Sequence, residues 1–110
     1  MLRARVIATP TYEKRIARLL PPEDRTEMEN AVAADPERHP VVPGTKGVRK
    51  ARWSRPGMGK SGGIRLIYYY WMDPNAVVLI TVYAKNEKEN LTDADKKEIR
   101  KIVENLSRAN

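Results

Sequence analysis

GTKGVRKARWSRPGMGKSGGIRLIYYY, residues 44–70, is the stretch on which the fold turns. From Ile64 to Trp71 the side chains divide into Ile64, Leu66, Tyr68 and Tyr70 on one side and Arg65, Ile67, Tyr69 and Trp71 on the other. Both sets are rich in β-branched and aromatic residues, as in a strand covered on both faces. Val48 to Trp53 alternates too, with Arg49, Ala51 and Trp53 opposite Val48, Lys50 and Arg52. The glycine-rich basic loop Ser54–Gly63 joins the two runs, so they are expected to pair as a hairpin.

The same stretch holds the charge. Lys46, Arg49, Lys50, Arg52, Arg55, Lys60 and Arg65 come with no acidic residue among them and match the formal net charge of +7 of the 110-residue chain. Cations elsewhere are balanced by carboxylates, so the imbalance marks a local surface prepared for a polyanion. Within the loop, Ser54-Arg55-Pro56-Gly57-Met58-Gly59-Lys60-Ser61 superficially matches a P-loop. However, Ser54 stands where the leading glycine belongs, and Gly62-Gly63 and a strand follow where a phosphate-binding helix is required. Nucleoside triphosphate binding is therefore not expected. The loop reads as a hairpin tip whose Arg55 and Lys60 touch a nucleic-acid backbone.

Upstream, Arg3–Ala8 alternates as a short strand, with Leu2, Ala4, Val6 and Ala8 on one side. Thr9-Pro10 caps a helix with the stripe Tyr12, Ile16, Leu19 and Leu20. Pro21-Pro22 ends it and opens a second helix with Met28, Ala31 and Val32 on its apolar side. Downstream, Asp73-Pro74-Asn75 turns the chain into the apolar strand Val77–Tyr83. Thr92-Asp93-Ala94-Asp95 resembles a capping box with Asp at its third helical position. It opens a last helix lined by Ile99, Ile102, Val103 and Leu106, whose charges (Lys96, Lys97, Glu98, Arg100, Lys101) read as a solvated face. The order β-α-α-β-β-β-α in one domain spanning residues 1–110 is α+β. No apolar run approaches the roughly 20 residues of a membrane span, and the N-terminus lacks the apolar core of a secretory signal. Without cysteine there is no disulfide, thiolate metal site or cysteine nucleophile, and the lone His39 cannot form a multi-histidine metal site. A cytoplasmic location fits these features. His39, between Arg38 and Pro40, reads as a surface or capping residue.

Pairing of the two runs would set Lys50, Arg52 and Arg65 on one face, with Tyr83 and Lys85 arriving from the end of the next strand. Such a cluster suits a phosphodiester. Arginine forks grip phosphate oxygens, and a lysine crowded by cations loses its proton more readily and can deprotonate a ribose 2′-hydroxyl. That chemistry needs neither metal, histidine nor cofactor. Residue types alone fit equally well with solvated cations that keep a sheet edge from aggregating. Around the cluster, Lys46, Arg49, Arg55, Lys60 and Lys88 are the candidate RNA contacts. Tyr69 is the tyrosine of its run placed to stack on a base, since Tyr68 and Tyr70 follow Leu66 into the core.

Residues 44–70 and again 79–92, LITVYAKNEKENLT, resemble the RelE/HigB family of toxins from type II toxin–antitoxin pairs. The resemblance covers about the last two-thirds of the chain. It implies a small twisted antiparallel sheet against a helical hairpin and a C-terminal helix. It further implies a ribosome-dependent endoribonuclease that cuts translated mRNA in the A site, with Lys50, Arg52, Arg65 and Lys85 at matching basic positions. Some members carry a tyrosine near the start of the last helix, where this chain has Leu91, and Tyr83 is the candidate substitute. The implied partners are the ribosome with its mRNA and a cognate antitoxin, often a helix-turn-helix protein. Operator DNA would be reached only through that antitoxin, and no membrane is involved. Two other functions compete: a ParE-like DNA gyrase inhibitor of the same fold, and a non-catalytic basic RNA-binding module.

Overall fold

A computed structural model describes residues 3–59 and 62–109. The elements follow the expected order: β1 (Arg5–Ala8), α1 (Pro10–Ile16), α2 (Pro22–Ala34), β2 (Arg49–Trp53), β3 (Ile64–Trp71), β4 (Ala76–Ala84) and α3 (Asp93–Ala109). They form one four-stranded sheet in the order β1-β4-β3-β2. The antiparallel sheet implied by the resemblance holds for β2, β3 and β4, while β1 adds a parallel edge beside β4. The helical hairpin makes this possible, because a parallel neighbour requires a crossover rather than a tight turn.

Strand alternation divides the interior into two cores. Ile64, Leu66, Tyr68, Val77, Leu79 and Val82 face the hairpin, where they meet Tyr12, Ile16, Met28 and Val32. Ile67, Val78, Ile80 and Tyr83 face α3, where they meet Ile99 and Val103, with Ile102 and Leu106 at the margin. β3 and β4 are thus covered on both sides, which is why they read as nearly continuous apolar runs. One expected stripe shifts: in α2, Ala33 is buried with Met28 and Val32, while Ala31 is exposed. Leu2 and Lys60, two residues named from the sequence, lie outside the described residues.

Opposite β3, β4 carries one surplus residue. Tyr68 pairs with Leu79 and Ile67 with Thr81, leaving Ile80 as a bulge. Strict alternation from Val77 and Leu79 would send Tyr83 toward the hairpin. The bulge resets the phase, so Tyr83 instead opposes Arg65 on the α3 side.

The hairpin is fastened at two points. Thr9 Oγ1 accepts from the Tyr12 amide at 3.2 Å, capping α1, and donates to the Ile80 carbonyl at 2.7 Å, tying that cap to β4. Tyr12 is fully buried, and its hydroxyl donates to Glu29 at 2.6 Å. Arg25 pairs with both Glu29 and Glu13 at 2.8 Å, so Glu29 keeps a partner when the hydroxyl is removed. Tyr12→Phe is therefore expected to cost only about 1 kcal/mol, read as a lowered urea midpoint with an unchanged slope.

Candidate active site

Strand register assembles the cluster. In an antiparallel pair, opposed residues share a face and sit about 4.5–5.5 Å apart at Cβ. Lys50 opposes Ile67, Arg52 opposes Arg65, and Arg65 in turn opposes Tyr83. Lys50, Arg52, Arg65 and Tyr83 therefore share the α3 face of the sheet, at the end where β3 begins. They feel one another: the Lys50 ammonium is pulled below its ordinary value, first by partial burial and then by the Arg52 and Arg65 guanidinium groups, with Glu89 opposing.

Arg65 and Tyr83 are covered to an unusual degree for polar groups. Arg65 is 6% exposed and Tyr83 1%. Arg65 Nε and the Tyr83 hydroxyl are both buried with no hydrogen-bond partner among the described residues. The only side-chain bond found for Arg65 among the described residues is a long one, 3.4 Å, from Nη1 to the carbonyl of Ile64. Burial raises the Tyr83 hydroxyl pKa, Arg65 opposes that shift, and Asp95 adds to it. Unspent donors in the interior are costly unless an acceptor joins them.

The connection from β4 to α3 closes over this face. Lys88 Nζ lies 5.7 Å from the Tyr83 ring centroid and pairs with Asp95 at 2.8 Å. The expected capping box is present: Thr92 Oγ1 accepts from the Asp95 amide at 3.1 Å, and Asp95 accepts from the Thr92 amide at 2.9 Å. The Lys88 ammonium first, then the Thr92 amide, holds the Asp95 carboxyl below the usual carboxylate range. Asn90 Oδ1 accepts from Lys50 Nζ at 3.4 Å. Lys85 donates its amide to Gly63, prolonging the β3–β4 ladder by one step. Alternation then puts Lys85 on the Tyr83 side.

The remaining candidates are dispersed. Arg49 points to the hairpin side, donating to the carbonyls of Glu37 and His39 at 3.0 and 2.7 Å, and so acts as a strut. Lys46 is exposed in a left-handed turn (φ 60°) and, with Arg49 and Tyr69, borders a separate depression of about 510 Å³. Tyr69 packs partly against the α3 core, four residues or about 13 Å along β3 from Arg65. Arg55 Nε donates to the Gly62 carbonyl, bracing the loop. Gly62 itself is required there, because a Cβ would lie 2.1 Å from Met58 Cβ. His39, read from the sequence as a surface or capping residue, is half-buried and lies edge-on to Tyr68 with centroids 6.3 Å apart.

The solvated face expected for α3 needs correction. Lys97, Glu98 and Lys101 are exposed, but Lys96 and Arg100 are half-buried, and Arg100 clamps the Gly44 carbonyl at 2.7 Å. Sequence reasoning also missed Asn90 and the pairing of Asp95 with Lys88. The capping box gave a signal for Asp95, whereas nothing in the sequence singled out Asn90.

Residues 41–110 match the family model described as the RelE toxin of the RelE / RelB toxin-antitoxin system. The chain belongs to the RelE toxin family. It is thus the toxin of a toxin–antitoxin pair, and an antitoxin partner follows from that membership. The matched segment begins after the hairpin, the part in which the sequence carried no distinctive motif. The fold agrees with that of a solved RelE toxin. The structure of the E. coli toxin RelE, an arginine-to-alanine double mutant in the free state, superposes with a TM-score of 0.58 at 18% identity, covering 80% of this chain and 90% of that one. Among the described residues of this RelE-family toxin, no helix is long and apolar enough to cross a membrane.

Proposed function

We propose that this toxin is a ribosome-dependent endoribonuclease that cuts translated mRNA in the A site, in the cytoplasm. The observation that carries the reading is the shared face of Lys50, Arg52 and Arg65, with Tyr83 opposed to Arg65. Lys50, already inclined to lose its proton, takes the proton of a ribose 2′-hydroxyl. The 2′-oxygen forms a bond to the adjacent phosphorus while the bond from phosphorus to the 5′-oxygen breaks, leaving a 2′,3′-cyclic phosphate and a 5′-hydroxyl. Arg52 and Arg65 hold the non-bridging oxygens as negative charge grows on them. Tyr83 steers the 2′-oxygen with its unspent hydroxyl, and the departing 5′-oxygen takes a proton from an ammonium at the rim, where Lys85 and Lys88 stand. Every step uses side chains alone, so the reading requires no metal. The loop cations Arg55 and Lys60, with Lys46 and Tyr69 further out, supply contacts along the RNA.

The test is primer extension on a translated message mixed with purified toxin, against the same RNA without ribosomes. Cuts within codons that depend on translation are the expected result. Intact message with trapped gyrase–DNA complexes would replace this reading with that of a gyrase inhibitor. Salt-sensitive binding without any cut would leave only an RNA-binding module.

A further inference from the structure

Beside Lys50 and Arg52 lies a cleft of about 350 Å³ that the phosphate chemistry leaves unused. That volume falls in the range of small-ligand pockets, roughly 300–1,000 Å³. Pro40, Val41, Val42 and Pro43 line it from the segment before β2, and Leu91 and Lys96 line it from the approach to α3 and its first turn. The Pro40–Pro43 side is stiff. Val42 donates its amide to the Val48 carbonyl at 2.7 Å, and Lys50 donates its amide to the Pro40 carbonyl at 3.1 Å. The buried Thr45 hydroxyl bonds the Val42 carbonyl at 2.6 Å, and the two prolines fix their own φ angles. A lining in which two prolines, two valines and a leucine supply the apolar surface suits an aromatic ring. No carboxylate lines the cleft, and Lys50, Arg52 and Lys96 border it, which suits a ring attached to a phosphate chain.

One neutral polar side chain stands in the lining, and it is Asn90. Its Oδ1 accepts from Lys50, leaving a second lone pair and both amide hydrogens unspent. A carboxamide with one acceptor and one donor side by side matches the N6 and N7 edge of adenine. We propose that this cleft receives the base next to the scissile phosphate and that Asn90 reads it as adenine. This rests on the nuclease reading above and adds a substrate preference to it. Because Asn90 also touches Lys50, a merely positioning role would slow cutting at every sequence alike, whereas base reading changes the ratio between sequences.

The experiment is single-turnover cutting on ribosomes programmed with messages that differ only in the bases flanking the scissile bond. Wild-type toxin is expected to favour adenine at one flanking position by roughly tenfold, the scale of one two-bond base contact. Asn90→Ala should bring that ratio close to one. Asn90→Asp, which can only accept, should move the preference toward cytosine, whose N4 is a donor. Asn90 is exposed in a connection, so neither variant should disturb the fold. A wild-type preference that survives Asn90→Ala overturns the proposal, as does a guanine preference lost in Lys96→Ala. Cutting without any preference at the flanking positions also overturns it, while the nuclease reading stands. Absence of cutting by the wild type overturns both.

Discussion

Lys50→Ala is expected to lower the single-turnover rate of message cutting by about 10²–10⁴-fold, the usual contribution of a positioned proton acceptor, which is the role proposed for Lys50. The pH profile is the sharper measurement. In the proposed mechanism the base must be neutral, so the wild-type rate should climb with pH until Lys50 has lost its proton, at a pH below the ordinary lysine value because burial, Arg52 and Arg65 all disfavour its charge. In Lys50→Ala that rising limb disappears and leaves a slow, flatter profile. Tyr83 titrates in the opposite sense, its hydroxyl pushed up by burial. If Tyr83 were the base, the limb would lie above about pH 10 and would survive Lys50→Ala. Linkage gives the same lysine a second signature. Its folded pKa lies below its unfolded one, so the protonated side chain destabilises the fold at low pH. That penalty is relieved as pH rises through the folded value. Stability of the wild type relative to Lys50→Ala should therefore improve toward alkaline pH.

Arg65→Met separates activity from stability. Loss of a preorganised charge at the phosphate should cut the rate by about 10²–10³-fold, yet the protein should become more stable. Arg65 is 6% exposed, its Nε has no partner, and no carboxylate among the described residues forms an ion pair with it. Methionine keeps the unbranched stem that packs between β2 and β4 and removes the unpaired charge. Relief of one unsatisfied buried group is worth about 1–3 kcal/mol, or several degrees in Tm for a domain of this size. A melting temperature that falls in Arg65→Met would mean that the guanidinium is satisfied where it sits, and the case for a site waiting on an anion would be lost. Thermal melts and primer extension on the same preparation decide it.

Much of this was legible in the residues. Period-two runs at β1, β2 and β3, the apolar run of β4, the proline-marked starts of α1 and α2 and the capping box of α3 gave the element order, and the acid-free segment pointed to the proposed working surface. The cluster itself required one pairing, β2 with β3, and the short connection between them made that pairing the simplest available. Three features were beyond local reading. The parallel placement of β1 depends on a crossover through two helices. Arg49 resembles Lys50 and Arg52 in type, yet it points to the other side and is consumed by the carbonyls of Glu37 and His39. Lys96 and Arg100 look like any other charges on an amphipathic helix, and their half-burial follows from where the 40–47 segment folds, a long-range event that no window of sequence contains.

The surplus residue at Ile80 has an evolutionary corollary. Deleting Ile80 would close the bulge into regular pairing: Leu79 and Thr81 would become neighbours, still opposite Tyr68 and Ile67, and Tyr83 would stay opposite Arg65. Losing Val82 instead would keep the bulge and turn Tyr83 among the packed side chains of the hairpin. The place of a lost codon thus decides the fate of the phenol: a three-nucleotide deletion at Ile80 leaves it beside the cations, and the same deletion at Val82 sends it to the opposite core while Lys50, Arg52 and Arg65 stay in place.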